Sequence, residues 1–375
     1  MTSILNSFSI NFTPYWSAWC ANTAEHFGAL AVRHWPLSAL ALFLSYRLAR
    51  HLWESVLVDG PLKYRAVFIT GADTGFGRML TLRCASAGMT AREELDLEST
   101  RHNGRIVALE LDVTDDKSVE AARRRVDEKL ALGQYLWALV NNAGIMPTQG
   151  PDEWSTVDDY QDVMNVNFYG MIRCTHALLP LLKKSHGRII NMSSCCGRVS
   201  FAGLAPYCVS KYAVEAWTDA IRQELHAFGV SCSILEPSSY RTRMMSIDPF
   251  SAYAEASWAR LTPELRREYG LDYKAKCSYL ILQYLRSVED LADLRMLDLF
   301  CSRAYSQVID AYFHAIVARW PRARYYCGFL MHVFYAPLSH APALVQDALI
   351  GVLFSRTPQI VRDASQSKSA KRYLR

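Results

Sequence analysis

The sequence lacks the features that mark metal-binding, disulfide-stabilised and nucleic-acid-binding proteins. Its ten cysteines form no Cys-x-x-Cys pair and follow no metal-ligand spacing, so we predict reduced thiols and no metal site. The formal net charge is only +5, and the basic tail at residues 356–375 contributes to that excess. So small a charge does not indicate a nucleic-acid partner.

The chain also lacks an uninterrupted apolar run long enough to cross a bilayer, which takes about 20 residues. Residues 27–46 reach that length only by including Arg33 and His34, which are costly at the centre of a bilayer. We interpret this segment as a membrane anchor, with a mitochondrial targeting segment or a helix packed on the domain as alternatives. Residues 1–64 are therefore predicted to be an extension, and residues 65–355 the main domain.

Short apolar segments alternate with helical patterns along that domain. The segments that we predict to be buried strands are Arg65–Thr70, Leu136–Val140, Arg188–Met192 and Val230–Leu235. The predicted helices are Arg78–Ala85, Asp116–Leu130, Val157–Leu182 and Pro206–Phe228. Such alternation predicts an α/β fold with a doubly wound parallel sheet, whose site lies at the carboxyl ends of the strands.

Two strand ends carry residues that suit a cofactor groove. Gly71, Gly75 and Gly77 lie between the first strand and the first helix. Glycines there let the backbone approach a pyrophosphate, and the helix N-terminus offers free N–H groups and a positive potential. The next predicted strand ends in Asn141-Asn-Ala-Gly144, whose small side chains fit a backbone lining the same groove.

Tyr207 and Lys211 lie one turn apart on one face of a predicted helix. A phenol titrates near pH ~10, and a neighbouring ammonium lowers that pKa, so we expect Tyr207 to exchange a proton near neutral pH. Ser194 follows a predicted strand and can donate a hydrogen bond to the same substrate oxygen. This set predicts reversible carbonyl–alcohol chemistry. An ordinary surface helix would not account for the glycine loop upstream.

The order of these motifs resembles the short-chain dehydrogenase/reductase superfamily. In chain order the motifs are Thr70-Gly-x3-Gly-x-Gly77, Asp112, Asn141-Asn-Ala-Gly144, Asn167, Ser194, Tyr207-x3-Lys211 and Pro237. Segments 165–170 and 320–326 are similar to the branch that holds retinol dehydrogenases, 17β-hydroxysteroid dehydrogenase type 2 and D-β-hydroxybutyrate dehydrogenase. The resemblance implies a Rossmann-type fold over one domain.

The resemblance also implies a role for each matching residue. Tyr207 would be the general acid/base, Lys211 would hold the nicotinamide ribose, and Ser194 would orient the substrate oxygen. Asn167 would keep a water in a proton relay through Lys211. The residues implied to contact the cofactor are Gly71, Thr74, Gly75, Phe76, Gly77, Asp112, Val113, Asn141, Ala143, Gly144, Tyr207, Lys211, Pro237 and Thr242. The implied cofactor is NAD, with NADP as the alternative.

Three positions depart from the family pattern. Residues 89–100 carry four acids and an arginine where a buried second strand is expected, so we predict a truncated strand. The alternatives are a lesion that exposes the edge of the neighbouring strand and a stub strand at Gly88–Ala91. Ser238 replaces a glycine and would be strained by about 1 kcal/mol if its φ were positive. Cys195 and Cys196 are interpreted as packing residues.

Residues 243–330 are predicted to form a helical lid that faces the substrate, with simple packing of an insert as the alternative. Its apolar side chains, which favour a lipophilic ligand, are Met244, Met245, Phe250, Tyr253 and Trp258. Arg241 and Arg243 instead favour an acidic ligand, because either can bind a carboxylate. The apolar stretch 333–354 is expected to dock against a membrane or a second subunit of a homo-oligomer.

We therefore predict a membrane-associated NAD(P)-dependent oxidoreductase of the endoplasmic reticulum, with mitochondria as the alternative location. Its predicted substrate is a small lipophilic secondary or allylic alcohol, of retinoid or hydroxysteroid type, or the corresponding ketone or aldehyde. Two alternatives stay open at this point. One is an enzyme that oxidises 3-hydroxybutyrate, and the other is a non-catalytic dehydrogenase-like membrane or scaffold protein, including a defective isoform.

Overall fold

The computed structural model describes residues 41–42, 44–46, 48–49, 52, 61–92, 106–130, 133–146, 150–240, 242, 247–271 and 304–354. The chain divides into two compact units, Met1–Leu57 and Val58–Arg375. In the first unit the described residues are helical and exposed. The predicted anchor at 27–46 lies almost wholly outside them. No helix in the part of the chain just defined is long and apolar enough to cross a membrane.

The second unit is built on a seven-stranded parallel sheet with the strand order β3-β2-β1-β4-β5-β6-β7. The strands are β1 Arg65–Ile69, β2 Thr90–Arg92, β3 Ile106–Val107, β4 Tyr135–Asn141, β5 Arg188–Met192, β6 Ser231–Pro237 and β7 Arg324–Cys327. The doubly wound parallel fold predicted from the sequence is confirmed. The four strands that we predicted from apolar runs are β1, β4, β5 and β6.

Helices cover both faces of the sheet. They are α1 Gly75–Ser86, α2 Asp116–Lys129, α3 Val157–Met164, α4 Gly170–Ser185, α5 Ala205–His226, α6 Ile247–Arg260, α7 Pro263–Tyr269, α8 Ser306–Val317 and α9 Ala343–Phe354. A π-helical turn, Asn165–Tyr169, joins α3 to α4, so the predicted helix 157–182 is continuous but locally widened. A second π-helical turn, Met331–Tyr335, runs into the short helix Ala336–Leu338.

The central strands are apolar along their whole length because both faces of the sheet are covered. All five residues of β1 are buried, and successive side chains point to opposite faces. Val67 and Ile69 pack in the cluster formed with α1 and α8. Phe68 packs in the cluster formed with α2 and α4 on the other face. The core therefore has two apolar layers with the sheet between them.

The second strand is short, as predicted, with three residues. It is nevertheless part of the sheet, because Thr90, Ala91 and Arg92 pair with β1 and the last two also pair with β3. The exposed edge on β1 that a lost strand would have left is absent, and that expectation was wrong. Residues 93–105, which follow β2, lie outside the described residues.

Within the predicted lid at 243–330, the described residues divide into two groups. Helix α8 packs against α1 in the core, as an amphipathic core helix should, and β7 extends the sheet beyond β6. Helices α6 and α7 pack around Trp154 and Trp258, outside the sheet layers. The substrate-facing role stays a prediction for α6 and α7. Met244 and Met245 lie outside the described residues, and so do Arg241 and Arg243.

Candidate active site

The glycine loop between β1 and α1 has the shape that the sequence predicted. Gly71 and Gly75 have φ angles of +61° and +58°, which L-residues with side chains rarely adopt. An added Cβ on Gly77 would lie 2.3 Å from the carbonyl oxygen of Gly71. An added Cβ on Gly75 would meet nothing within 4 Å, so the loop is open on that side. Thr74 precedes the first turn of α1 and makes no side-chain cap.

The loop is held in place by the strand beside it. The Thr70 hydroxyl accepts hydrogen bonds from the N–H groups of Asn142 and Ala143, both at 3.0 Å. The Asn142 side-chain amide donates to the carbonyl oxygens of Thr70 and Gly71 at 3.1 and 2.9 Å. Tyr312 of α8 donates to the Asn142 amide oxygen at 3.1 Å. Asn142 therefore fixes the distance between the two loops, a role that our list of cofactor residues missed.

Asn141 serves a different purpose from the one implied by the resemblance. Its side chain is 1% exposed and donates to Thr175 and Asn191 at 3.0 and 2.8 Å. Asn191 in turn donates to Thr218 at 2.9 Å. This buried ladder ties β4, β5, α4 and α5 together, so only the backbone of Asn141 is left to face a cofactor.

The predicted catalytic side chains meet at the carboxyl ends of β5 and β6. Ser194 begins the tight turn Cys195–Gly197, where its hydroxyl accepts the N–H of Cys196 at 3.2 Å. Tyr207 lies in the first turn of α5, is 8% exposed, and lies close enough to Ser194 for the serine side chain to lower the Tyr207 pKa. Pro206 precedes it and suits this first turn because its φ is already helical.

Lys211 lies one turn further along α5 and is 3% exposed. Its ammonium donates to the carbonyl oxygen of Met192 at 3.0 Å and lies 5.5 Å from the centroid of the Tyr207 ring. Asn167, in the π-helical turn, is fully buried and exchanges two hydrogen bonds with the backbone of Ile145 at 2.7 and 2.9 Å. It also donates to Ser210 at 3.0 Å. The structure gives no direct bond from Asn167 to Lys211, so the water relay stays a prediction.

Burial reverses the expected titration of Tyr207. Its pKa is raised well above the usual value, chiefly because burial disfavours the phenolate, and the hydrogen bond from Ser194 opposes this only in part. Burial also lowers the pKa of Lys211, to about 8. Our expectation that Lys211 brings the Tyr207 pKa down to neutral is therefore wrong for this state of the protein. Tyr207 is held in its protonated form.

The remaining predicted cofactor residues border the same groove in different ways. Asp112 precedes α2, and its carboxylate accepts the N–H and hydroxyl of Thr114, which lowers the Asp112 pKa. Val113 is buried against Gly170. Phe76 packs edge-on against Tyr240 and Tyr305, with ring centroids at 5.5 and 6.1 Å.

The last four predicted cofactor residues lie at or just beyond the carboxyl ends of β4 and β6. Ala143 and Gly144 follow β4, and an added Cβ on Gly144 would lie 3.8 Å from the Lys211 ammonium. Pro237 ends β6, and Thr242 is half-buried beyond it, where its N–H donates to the carbonyl oxygen of Tyr240 at 2.8 Å.

Ser238 is not strained. Among the described residues, His186 alone has a positive φ without being glycine, so the condition for strain at Ser238 is not met. The Ser238 hydroxyl instead lies 2.1 Å from where a Cβ on Gly328 would stand. A glycine is therefore needed on the neighbouring strand end, where φ is +94°.

An apolar cluster surrounds Tyr207. Its buried members are Cys195, Cys196, Val199, Phe201, Tyr207, Cys208, Leu330, Met331, Tyr335, Ala336, Leu338 and Ile350. Cys195 and Cys196 are free thiols that pack here, as interpreted from the sequence. In the predicted lid, Trp258 is buried against Trp154, with centroids at 5.3 Å, while Tyr253 is 41% exposed.

Charged side chains lie beneath the Ser194 turn, and our list of site residues missed them. Glu215 and Glu236 are buried among Arg198 and Arg324. The segment that contains Arg324 was part of the branch resemblance, but nothing in the sequence spacing indicated that Arg324 meets Arg198, Glu215 and Glu236.

Comparison with known proteins gives a consistent match. The profile described as short chain dehydrogenase matches residues 65–249. Human short-chain dehydrogenase/reductase family 9C member 7 is 39% identical over 78% of this chain and 90% of its own. Mouse retinol dehydrogenase 16 is 38% identical over 78% and 90%. A 3beta-hydroxysteroid dehydrogenase of Caenorhabditis elegans is 34% identical over 89% and 88%.

Solved structures agree on the fold. A short-chain dehydrogenase from Streptomyces avermitilis superimposes with a TM-score of 0.56 at 21% identity, and the match covers 81% of this chain and 98% of that one. A short-chain dehydrogenase/reductase from Burkholderia phymatum, solved in complex with NAD, gives 0.55 at 21% identity over 80% and 98%.

Proposed function

The chain belongs to the short-chain dehydrogenase family, and we propose that it uses NAD, or alternatively NADP, to interconvert a lipophilic secondary or allylic alcohol and its carbonyl. The retinol and 3beta-hydroxysteroid dehydrogenases among its relatives support a substrate of retinoid or hydroxysteroid type. We further propose that the enzyme is associated with the endoplasmic reticulum membrane, where such substrates partition.

The observation that carries the proposal is the meeting of three side chains beside an open glycine loop. Tyr207 and Ser194 place two hydroxyls together, and Lys211 lies one turn away on the same helix. Two donors aimed at one substrate oxygen polarise a carbonyl and stabilise the charge that develops on it. A packing role alone would not require a buried ammonium in this position.

The glycine loop fits a dinucleotide. Gly77 has no room for a Cβ and Gly75 faces open space, and both lie in the first turn of α1, where N–H groups are free to bind an anion. Gly71, Gly75 and Gly77 would hold the pyrophosphate. Lys211 would hold the nicotinamide ribose, and its ammonium lies near Gly144, where an added Cβ would be 3.8 Å away. When bound, the oxidised nicotinamide would accept hydride and bring a positive charge next to Tyr207.

Tyr207 and Lys211 would control the transfer of the proton. Because burial keeps the Tyr207 phenol protonated, its hydroxyl donates a proton to the substrate oxygen in carbonyl reduction. In alcohol oxidation Tyr207 has to accept that proton as a phenolate, which requires additional positive charge nearby. Lys211, with a pKa of about 8, would supply part of that positive charge while it is protonated.

The surroundings of Tyr207 favour a lipophilic substrate. The cluster around it is formed by side chains of the Ser194 turn, the start of α5, and the segment from Leu330 to Ile350. An apolar surface beside the reacting oxygen would gain free energy by burying apolar ligand surface, and it would offer a carboxylate no compensation for its lost hydration. The apolar cluster around Tyr207 supports the proposal of a retinoid or steroid over that of 3-hydroxybutyrate.

Replacing Tyr207 by Phe tests the proposal. Turnover of retinol, hydroxysteroid and 3-hydroxybutyrate panels with NAD⁺ and NADP⁺ should fall by at least about 10²-fold, because general acid–base catalysis contributes that much. Dinucleotide binding and thermal stability should be retained. Tyr212→Phe, on the same helix but 41% exposed, is the matched control and should keep full activity.

Two results would overturn the proposal. Equal turnover in the Tyr207→Phe variant would exclude Tyr207 as the acid/base. A wild-type chain that binds neither dinucleotide would support the non-catalytic alternative.

A further inference from the structure

Four charged residues form a buried cluster beneath the proposed catalytic side chains. Glu236, at the end of β6, is completely buried and accepts two hydrogen bonds from Arg198, at 2.8 and 3.1 Å. Arg324 of β7 donates to Glu236 at 2.8 Å and also to Glu215 of α5. Two carboxylates and two guanidinium groups therefore share one site, which we call the ion cluster. Asp219 of α5 also binds Arg324, at the solvent edge.

The ion cluster contacts both elements that carry the proposed catalytic residues, helix α5 and the turn that Ser194 begins. Tyr207, Lys211 and Glu215 are spaced four residues apart on α5, so they lie on one face in successive turns. Arg198 follows directly after the turn that Ser194 begins. A Cβ on Gly197, within that turn, would lie 2.6 Å from the Ser193 hydroxyl, 3.0 Å from Cγ of Glu215 and 3.0 Å from the Lys211 carbonyl oxygen. The turn and the helix are thus packed against each other over Glu215.

We propose that Glu215, held by Arg324, is a positioning residue that fixes Lys211 and the Ser194 turn for proton transfer. The inference rests on the proposed function only in assigning Lys211 a part in the reaction. The distant origin of Arg324 supports a purpose beyond local packing, since it reaches Glu215 from a strand 109 residues away in sequence. One Glu215 oxygen, Oε1, is buried and has no hydrogen-bond partner in the described structure. Burying an unpaired oxygen costs free energy, so such an atom calls for an explanation such as a functional role.

The charges around Glu215 and Lys211 support the role of Glu215 as a positioning residue. Burial and the neighbouring Glu236 together raise the pKa of Glu215 to about 7, against the opposing effects of Ser193 and Arg324. Burial lowers the pKa of Lys211 to about 8, while the charges of Cys196 and Glu215 oppose that fall. Between about pH 7 and 8, Glu215 is ionised and helps Lys211 to keep its proton. Removing the Glu215 charge should therefore lower the Lys211 pKa.

The test uses the double variant Glu215→Gln/Arg324→Gln in the full chain. Removing one acid and one base leaves Arg198 paired with Glu236, so the ion cluster itself keeps a balanced charge. The matched control is Glu120→Gln/Arg123→Gln, a surface pair on α2 with a contact of 2.9 Å. Glu215→Asp keeps the charge and should keep the wild-type pH profile.

Two readouts are measured across pH 6 to 10. The first is kcat and KM of dehydrogenation. The second is the pKa of Lys211 from competitive acetylation with acetic anhydride and peptide mass spectrometry, which needs no activity. We expect the alkaline limb of the kcat–pH profile and the Lys211 pKa from acetylation both to move down by about 1 pH unit. This is the lower end of the range of pKa shifts that a nearby charge produces. At pH 8 kcat should fall about five-fold with KM little changed.

The outcomes are distinct. If the Lys211 pKa shifts as expected but the wild-type chain has no turnover, the proposed function is contradicted. The role of Glu215 is then still supported by its effect on Lys211. An unchanged Lys211 pKa in the double variant would overturn the inference whatever the activity. Loss of folding in the double variant would also overturn it, since the ion cluster would then be a purely structural element.

Discussion

Replacing Lys211 by Met should stabilise the protein while abolishing the reaction. Lys211 is 3% exposed, and burial lowers its pKa from 10.5 to about 8. Each pKa unit corresponds to about 1.4 kcal/mol, so holding the ammonium in this site costs about 3 kcal/mol at pH 7. Met is apolar and of similar length. It forfeits the hydrogen bond to the Met192 carbonyl, worth about 1 kcal/mol. The net gain in the free energy of unfolding should be about 2 kcal/mol.

The stability gain of Lys211→Met should depend on pH, and the lowered pKa of Lys211 fixes the direction of that dependence. Below about pH 8 Lys211 is protonated in both the folded and unfolded states, and the wild-type protein bears the full cost of burial. Between about 8 and 10.5 the folded state has lost the proton and the unfolded state still binds it, so wild-type stability rises with pH. The difference between variant and wild type should therefore narrow across this interval.

The assay is urea denaturation followed by circular dichroism at pH 7 and pH 10, in matched detergent. Lys129→Met, at the exposed end of α2, is the control and should change stability by less than about 0.5 kcal/mol at either pH. If Lys211→Met is less stable than wild type at pH 7, or if its advantage does not shrink at pH 10, the assignment of a buried, desolvated ammonium is refuted.

Two further substitutions address the glycine loop. Gly77→Ala should abolish dinucleotide binding in a fluorescence titration, because its Cβ would lie 2.3 Å from the Gly71 carbonyl oxygen. The control Gly133→Ala, at a φ of +82°, should cost about 1 kcal/mol of stability and leave binding intact. Asn142→Ala removes the two bonds that hold the carbonyls of Thr70 and Gly71, so it should weaken binding by about ten-fold, and more than Tyr312→Phe does. Unchanged binding in Gly77→Ala or in Asn142→Ala would show that the loop does not hold the dinucleotide.

Much of the fold and site could be predicted because the signals are local. Apolar runs such as Arg188–Met192 mark strands buried on both faces, and these strands carry Ser194 and the Asn-Asn-Ala-Gly segment to one edge of the sheet. The four-residue spacing of Tyr207 and Lys211 fixes their relation once the helix is known. Strands of two to four residues, such as β3 and β7, carry too little pattern to be recognised.

What could not be predicted depends on tertiary burial. The sequence places an ammonium near Tyr207 but does not say how completely both are removed from water, and that burial decides the direction of the Tyr207 pKa. The ion cluster was missed for a related reason. Arg324 lies 88 residues from Glu236 and 109 from Glu215, and no local spacing connects them.

The short second strand and the proposed catalytic residues lie in different parts of the sheet. Ser194 follows β5 and Tyr207 begins α5, whereas β2 is separated from β5 by β1 and β4. In doubly wound folds the residue that reads the adenosine ribose ends the second strand, so a strand of three residues bears on how the adenosine half is held. The glycine loop is fixed independently, through Asn142 and Tyr312. We therefore expect the short β2 to affect dinucleotide affinity and to leave the geometry around Tyr207 and Lys211 intact.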